Sequence, residues 1–250
     1  MKALTLSGRG GLEYMRVGEV ALPPPPGAGE ALVRIHSAAL NRLDLFVANG
    51  RPGVELTFPH VLGSDGAGVV ESVGQGVSGV KAGHRVMINP GLSCGRCAAC
   101  AAGEESLCSK FRVLGEHRGG TAAEYIVLPS ENLAPVPEKM PWAQAAAFSL
   151  ATLTAWRMLA TRARLLAGET VLIWGIGGGV AMAALQVAVF LGARTIVTSG
   201  SDAKLEVARR EGAAETINHS SADVPAEVRR LTGGLGVDVV VDSVGEQSWQ

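Results

Sequence analysis

Four cysteines within fifteen residues are the feature that most constrains how this chain can fold. Cys94, Cys97, Cys100 and Cys108 are separated by two, two and seven residues, and they are the only cysteines among 250 residues. Four thiolates so close along the chain can bind one tetrahedral zinc and leave no open coordination position. The sequence therefore predicts a structural zinc in the loop 91–108, which fixes the local fold and does not activate water.

Two other uses of the cysteines are less consistent with the sequence. Two disulfides would suit an exported protein, but residues 1–6 lack the apolar segment of an export signal. An iron–sulfur cluster shares the close triplet, but the bacterial ferredoxin pattern places the fourth cysteine three residues later, before a proline. Here the gap is seven residues and Ser109 follows.

The composition bears on the possible partners. Hydrophobic residues make up 47% of the chain, and 22 basic and 23 acidic residues give a net charge of −1. Without a basic excess, nucleic acid and anionic membrane are poor candidates as main partners. The longest apolar stretch, 180–191, is too short to cross a bilayer. We expect a cytoplasmic protein that binds neither nucleic acid nor membrane.

The first 150 residues show the pattern of a β-rich lobe. Short alternating segments separated by glycine and proline predict strands over 31–38, 69–73, 85–89 and 123–128. A run of four prolines within 22–30 predicts an extended connector. The cysteine loop is interpreted as an insertion in this lobe.

Residues 151–250 alternate between strand and helix patterns. An Ala- and Leu-rich helical segment over 142–166 leads into this region. Predicted strands are 170–174, 195–198, 216–218 and 237–241, and predicted helices are 180–191, 202–211 and 225–233. This alternation is typical of an α/β fold with a parallel sheet. A doubly wound sheet usually has six strands, so we expect the sheet to be truncated at residue 250.

A glycine-rich turn between a buried strand and a helix is a candidate phosphate-binding site. It contains four glycines: Gly175, Gly177, Gly178 and Gly179. Such a turn lets backbone N–H groups approach a pyrophosphate at a helix N-terminus. The G-x-G-x-x-G register is imperfect, because Val180 occupies the third glycine position unless the pattern is shifted so that Gly178 is central. The alternative is a tight turn without a ligand.

The tip of the second strand of this sheet indicates which dinucleotide could bind. It reads Ser199, Gly200 and Ser201, with no acid before Asp202 and with Lys204 just beyond. A carboxylate here would select the ribose hydroxyl of NAD(H), whereas hydroxyls and a lysine suit a 2′-phosphate. We therefore expect NADP(H), with NAD(H) as the alternative. Ser201 could instead cap the next helix, with Lys204 solvated.

Together these features resemble the medium-chain dehydrogenase/reductase superfamily, and within it the quinone oxidoreductase-like branch. The matching stretches are 38–44, 59–70, 83–86, the cysteine loop, 119–125 and 153–155. The resemblance implies a GroES-like lobe over 1–150 and a Rossmann-type dinucleotide-binding domain over 151–250. It also implies a homodimer or higher homo-oligomer.

The chain departs from the superfamily's alcohol dehydrogenases at the positions of their catalytic zinc. The first ligand position holds Asn41, residues 63–65 read Gly-Ser-Asp in place of Gly-His-Glu, and the later cysteine falls at about Leu150. The hydroxyl that relays a proton falls at Leu43. These side chains cannot supply the thiolate and imidazole ligands that zinc prefers. His60, Asp44 and Asp65 could form only a makeshift site.

The resemblance therefore implies transfer of hydride from NADPH to a quinone or an α,β-unsaturated carbonyl without a catalytic zinc. Asn41 is expected to contact the substrate oxygen or the cofactor, and Asp44 to act beside it or to brace the loop. Thr154 is expected near the nicotinamide, and His219 near the adenine. The alternatives are a zinc-type alcohol dehydrogenase and a non-catalytic NADPH-binding sensor or structural protein.

Overall fold

The structure is a computed structural model that describes residues 1–245 and 248. The chain divides into two compact units, Met1–Leu150 and Ala151–Gln250. In the described residues no helix is both long enough and apolar enough to span a bilayer.

The first unit is built mainly from antiparallel strands. Its elements are β1 Lys2–Leu6, β2 Met15–Glu19, β3 Glu30–Ala39, α1 Arg42–Ala48, β4 His60–Val61, β5 Asp65–Val73, β6 Arg85–Ile88, β7 Gly91–Leu92, α2 Ala98–Ala101, β8 Arg112–Val113, β9 Tyr125–Pro129, β10 Leu133–Pro135 and most of α3 Trp142–Trp156. Single 3₁₀ turns occur at Leu12–Tyr14, Glu105–Leu107 and Ser130–Asn132.

Three sheets organise this unit. The largest has the order β10-β6-β5-β3-β9, a second has the order β2-β1-β4, and β7 pairs with β8 in the cysteine loop. Inward-facing aliphatic side chains of the large sheet, among them Val33, Val70 and Ile88, form one core. Leu6 and Leu62 pack with residues of α1 in another. The predicted β-rich lobe is confirmed.

The sequence pattern missed part of this unit. β5 begins at Asp65, four residues before the predicted strand. The prediction missed these residues because the segment 65–68 is rich in glycine, which is uncommon in strands. These glycines are required: a β-carbon on Gly68 would lie 2.0 Å from the Arg34 carbonyl oxygen. The seven-residue helix α1 is too short to show helical periodicity, and the strands β1 and β2 were also not predicted.

The second unit is a parallel sheet with helices. α3 continues as a π-helical segment, Arg157–Ala163, and is followed by β11 Thr170–Ile173, α4 Gly179–Phe190, β12 Arg194–Ser199, α5 Asp202–Arg210, β13 Glu215–Asn218, α6 Val224–Leu231 and β14 Val239–Val241. The strand order is β13-β12-β11-β14, and every pair is parallel. The predicted α/β fold is confirmed.

The helices of this unit cover buried strands, as the apolar runs predicted. Val171, Ile173 and Val197 face Ala184, Leu185 and their neighbours in one core, and Leu172, Ile196 and Val228 belong to a second. Strands with apolar side chains on both faces need cover on both sides. This buried sheet holds the turns that follow β11, β12 and β13 at one edge.

Candidate functional site

The four cysteines of the first unit converge on one point. All four sulfurs lie within 4.8 Å of one another, with 3.5 Å between the sulfurs of Cys97 and Cys100 and 3.9 Å between those of Cys94 and Cys100. Sulfurs bound at about 2.3 Å to a tetrahedral zinc would be about 3.8 Å apart. The arrangement fits a structural zinc.

The loop acts on its thiols in opposite directions. The Cys100 backbone lowers the pKa of Cys97, but the neighbouring thiols and burial raise it to about 11. Backbone N–H groups of Arg96 and Cys97 lower the pKa of Cys94 to about 6. The backbone N–H of Lys110 points at Cys108 Sγ, 3.3 Å away. Gly95 has a φ of +67°, so a residue without a β-carbon is favoured where the chain turns between the first two cysteines. Binding a metal would therefore release the proton of Cys97, whereas Cys94 is already inclined to the thiolate form.

The predicted phosphate-binding turn of the second unit connects β11 to α4. Gly178 is the N-cap of this twelve-residue helix, whose first turn reads Gly-Val-Ala-Met and carries no acid. A β-carbon on Gly178 would meet no described atom within 4 Å. The turn therefore leaves space beside the N-terminal N–H groups of residues 179 and 180, where an anion is electrostatically favoured.

Gly177 has a different environment. Its φ is +123°, and a β-carbon there would lie 2.8 Å from Lys204 Cδ and 3.5 Å from Lys204 Nζ. The Lys204 side chain, which begins on α5, thus lies across the glycine turn. This position brings a positive charge to the glycine turn.

The residues at the tip of β12 have distinct roles. Ser199 is buried, and its hydroxyl accepts a hydrogen bond from the Ser201 N–H at 3.2 Å. Ser201 is the N-cap of α5, although within the described residues its side chain makes no capping hydrogen bond. The Asp202 carboxylate accepts from Asn218 Nδ2 at 2.7 Å. The first acid after β12 is therefore hydrogen-bonded to the last residue of the neighbouring strand β13.

His219 is fixed beside this tip. Its ring stacks on Trp174, and its Nδ1 lies 3.2 Å from Thr198 Oγ1. Thr198 Oγ1 already accepts from the Gly175 N–H at 3.0 Å, so its own proton is available to His219 Nδ1. A β-carbon on Gly200 would lie 3.3 Å from His219 Nε2. Sequence reasoning singled out His219 but missed Thr198 and Trp174.

Thr154 lies on an exposed turn of α3. The structure assigns it to the second unit together with the glycine turn. A β-carbon on Gly179 would lie 3.7 Å from the Ala151 β-carbon, so α3 packs against the start of α4. The prediction that Thr154 contacts the nicotinamide stays a prediction.

Asn41 and Asp65 form the centre of a hydrogen-bonded cluster in the first unit. Asn41 Nδ2 donates to Asp65 Oδ2 at 3.0 Å, and the Leu150 N–H donates to Asp65 Oδ1 at 2.8 Å. Asp65 is 1% exposed, and Thr121 Oγ1 donates to its carbonyl oxygen at 2.7 Å. Asn41, Asp65 and Leu150 stand at positions that the resemblance assigned to a catalytic metal. They are joined by hydrogen bonds from the Asn41 amide and the Leu150 N–H to the Asp65 carboxylate.

Asp44 links this cluster to the backbone around it. Its Oδ2 accepts from the Asn41 N–H at 2.7 Å and its Oδ1 accepts from the Gly63 N–H at 3.1 Å. Both oxygens of this buried carboxylate are therefore bound by backbone. The first bond stabilises the start of α1, since an acid at the third helical position satisfies the N-cap N–H.

The remaining polar residues of the makeshift metal site are also hydrogen-bonded within the chain. Ser64 is fully buried and donates to the Leu114 carbonyl at 2.7 Å, and His60 Nε2 donates to the Gly115 carbonyl at 2.9 Å. Burial lowers the pKa of His60, and the Gly115 bond partly opposes this effect. Among residues 1–245 and 248, only the four cysteines bring three or more candidate metal ligands together.

The electrostatics of Asp65 reflect its burial. Desolvation raises the pKa of the carboxyl group, while the hydrogen bonds from Asn41 and Leu150 lower it and the charge of Asp44 raises it. From the sequence, Asp65 was predicted only as a possible ligand of a makeshift metal site. Its role as the acceptor for Asn41 depends on the pairing of Ala39 with Asp65 in the β3–β5 hairpin, which the sequence did not reveal.

A zinc-loop lobe combined with a parallel sheet that carries a glycine turn defines the class of protein. Family models match both parts: "Alcohol dehydrogenase GroES-like domain" matches residues 27–138 and "Zinc-binding dehydrogenase" matches residues 179–250. The protein is an oxidoreductase. It belongs to the medium-chain dehydrogenase/reductase superfamily, whose members use NAD(P) and zinc.

The similar proteins fall into two groups by name. A crystal structure of an NAD-dependent alcohol dehydrogenase is 50% identical, with a TM-score of 0.94 over 98% of this chain and 71% of that chain. An NAD-dependent alcohol dehydrogenase of Sulfurisphaera tokodaii is 33% identical over 91% of this chain and 67% of its own length. A quinone oxidoreductase of Rattus norvegicus is 29% identical over 99% and 68%. The chain thus spans about two thirds of these relatives, and their names leave the specific reaction open.

Proposed function

We propose that the protein reduces a quinone or an α,β-unsaturated carbonyl compound with NADPH and uses no catalytic zinc. The observation that supports this most directly is the Asn41–Asp65–Leu150 cluster. An amide, a buried carboxylate and a backbone N–H occupy the positions where zinc-type relatives are expected to hold a metal.

The donor set of this cluster does not fit zinc. Catalytic zinc takes three protein ligands drawn from cysteine, histidine and carboxylate groups, with the fourth position open. Asn41 and Ser64 are poor ligands, and both Asp65 oxygens already accept hydrogen bonds. Ser64 is also bonded to the Leu114 carbonyl. Binding a metal would leave buried donors without acceptors, at a cost of about 1–3 kcal/mol each.

The absence of such ligands selects the substrate chemistry. Oxidation of an ordinary alcohol develops an alkoxide that needs a Lewis acid. In a conjugated carbonyl, hydride adds to the β-carbon and negative charge spreads to oxygen, where hydrogen-bond donors suffice. The reduced dinucleotide supplies the hydride when bound. Asn41 donates its second N–H to the substrate oxygen, and a proton from solvent completes the reduction.

The second unit supports NADPH as the reductant. The space beside Gly178 and the α4 N-terminus suits a pyrophosphate. Lys204, which follows the tip of β12 in sequence, brings a positive charge to the glycine turn, and Asp202 Oδ1 accepts a hydrogen bond from Asn218. No acid precedes Asp202 at this tip, so we infer that Lys204 holds the 2′-phosphate. We place Gly200 and His219 at the adenosine end of the same site.

A zinc-type alcohol dehydrogenase is the second candidate, since a structure named an NAD-dependent alcohol dehydrogenase is 50% identical to this chain. In either case we propose one structural zinc on the four cysteines, a small-molecule substrate, a cytoplasmic location and a homo-oligomeric assembly.

Zinc content and substrate range together separate the two candidates. The purified protein is analysed for zinc per chain and assayed with NADPH and NADH against quinones, enones and simple alcohols. We expect one zinc per chain, and turnover of a quinone or enone that falls in Asn41→Ala but not in the exposed control Asn49→Ala. Two zincs per chain, with alcohol oxidation that chelation abolishes, would establish the alcohol dehydrogenase instead.

A further inference from the structure

The orientation of the Asn41 amide is determined by its neighbour. The Leu150 N–H can only donate, so Asp65 Oδ1 must accept. Asp65 Oδ2 faces Asn41 Nδ2 at 3.0 Å. An ionised carboxylate has acceptors alone, so only the NH₂ end of the Asn41 amide can face it. The Asn41 carbonyl oxygen then accepts from the Asp44 backbone N–H in the capping box of α1, so the second N–H is the group left for a ligand.

We propose that Asp65 is a positioning residue, which holds the Asn41 amide in one orientation through its negative charge and releases it when that charge is lost. This inference rests on the proposed function, in which Asn41 contacts the substrate oxygen. Asp65 itself is 1% exposed and both its oxygens are occupied, so it acts on the substrate only through Asn41.

Loss of the charge removes the preference of the Asn41 amide for a single orientation. A proton on Asp65 Oδ2 turns that oxygen into a donor, and the partner it then requires is the Asn41 carbonyl oxygen. A half-turn of the Asn41 amide makes that bond but turns its NH₂ end toward the Asp44 N–H of the capping box, so neither orientation satisfies both neighbours. A misplacement of about 1 Å in a contact to the reacting group can cost on the order of 10²-fold in rate.

The surroundings keep the carboxylate in place during this change. The Thr121 hydroxyl anchors the Asp65 backbone carbonyl, and β5 begins in register with Ala39 of β3. The charged group that acts on Asp65 is Asp44 of α1, and His60 lies on the neighbouring strand β4 with its Nε2–H bound to Gly115. Burial raises the pKa of Asp65, so its protonation occurs above the ordinary carboxyl range.

Asp65→Asn mimics the protonated state at every pH. The Leu150 N–H still needs an acceptor, so the carbonyl end of the new amide faces Leu150 and its NH₂ end faces Asn41. Asn41 then either faces one NH₂ group with another, or turns its carbonyl oxygen inward and gives up the Asp44 N–H of the capping box. The matched control is Glu71→Gln, the same chemical change on the same strand at an exposed ion pair with Arg34.

The first measurement follows the Asn41 side-chain amide by ¹⁵N–¹H NMR without substrate, assigned by its loss in Asn41→Ala. We expect its resonances to titrate in the wild type and Glu71→Gln with a midpoint above the ordinary carboxyl range, and to be insensitive to pH in Asp65→Asn. An Asn41 amide that does not respond to pH in the wild type would overturn the proposal, whatever the stability of the variants.

The second measurement is the pH profile of quinone or enone reduction. We expect kcat to fall toward acid pH with the same midpoint, and Asp65→Asn to lose on the order of 10²-fold in kcat with little change in KM and no acid limb. Titration of the amide without turnover of any quinone or enone would reject the proposed function and leave the positioning role standing. Turnover with an unchanged acid limb in Asp65→Asn would reject the positioning role alone.

Discussion

The rings of Trp174 and His219 are stacked, with centroids 5.5 Å apart and planes inclined by 9°. Trp174 is the residue that follows β11, and His219 follows β13, so the contact joins two turns at the same edge of the sheet. Thr198, near the end of β12, connects these turns through its hydrogen bonds to His219 and Gly175. The turns after β11, β12 and β13 are thus held together by the Trp174–His219 stacking and by the Thr198 hydroxyl.

Thr198→Val tests this connection. The substitution removes the acceptor of the Gly175 N–H and the partner of His219, and Thr198 is fully buried. We expect a loss of about 1–3 kcal/mol in the free energy of unfolding and a loss of about 3–10-fold in NADPH affinity, measured by calorimetry. Thr195→Val on the same strand also removes a buried bond, to the Ala214 N–H, and should reduce stability without changing NADPH affinity. Equal affinity losses in both variants would contradict the role of Thr198.

Gly177 and Gly178 differ in what an added methyl group would do. Gly177→Ala places a β-carbon 2.8 Å from Lys204 Cδ at a φ of +123°, so we expect it to destabilise the unit by about 1–3 kcal/mol. Gly178 has a φ of −85° and open space among the described residues. Gly178→Ala should therefore keep the melting temperature of the wild type while it weakens NADPH binding. Undiminished binding in Gly178→Ala would show that the dinucleotide does not approach this side of the turn.

More of the fold than of the candidate site could be predicted from the sequence. Thr170–Ile173 and Arg194–Ser199 are buried strands whose apolar runs and flanking glycines are local signals, so the parallel sheet followed from the sequence. The four cysteines carry their spacing in the sequence and converge as expected. The short helix Arg42–Ala48 was missed because seven residues show too little periodicity.

The site contacts that sequence reasoning missed all depend on pairing between distant segments. Asn41 meets Asp65 only because β3 and β5 pair with Ala39 opposite Asp65, and this register includes two irregularities that no local pattern predicts. Leu150 enters the cluster through its backbone N–H, so its side chain gives no clue. The departure from metal ligands at these positions was visible in the sequence, whereas the network that replaces them was not.

Lys204 is predicted to distinguish the two nicotinamide dinucleotides. Lys204→Met retains the methylene groups that cover Gly177 and removes the charge. A hydrogen bond to a charged group contributes about 1.5–3 kcal/mol, so we expect NADPH affinity to fall by about 10-fold or more and NADH affinity by much less. Lys81→Met, at an exposed position of the other unit, should change neither. Equal loss of both affinities would place Lys204 at the pyrophosphate rather than at the 2′-phosphate.

The cysteine loop should depend on its metal for order. Removing zinc with a chelator, or substituting Cys100→Ser, exposes thiols that the metal would otherwise hold. We expect zinc content to fall from one per chain to none, with a lower melting temperature and faster proteolysis within 91–108. Ser109→Ala, next to the last ligand, is the control and should retain zinc. A loop that remains protected after complete loss of zinc would show that the metal does not stabilise it.

His60 should make stability depend on pH. Its Nε2–H donates to the Gly115 carbonyl in a buried site, and burial lowers the pKa of the ring below its usual value of about 6.5. The folded protein binds a proton at His60 less readily than the unfolded chain does. The contribution of neutral His60 to the free energy of unfolding is therefore complete above the unfolded pKa. It is lost as the pH falls from there through the lowered folded pKa. Urea unfolding of the wild type at a series of pH values should therefore show a fall in stability below about pH 6.5. His60→Gln keeps an N–H donor for Gly115 but cannot titrate, so its loss of stability over the same interval should be smaller. A steeper pH dependence in His60→Gln than in the wild type would contradict a buried neutral imidazole at this position.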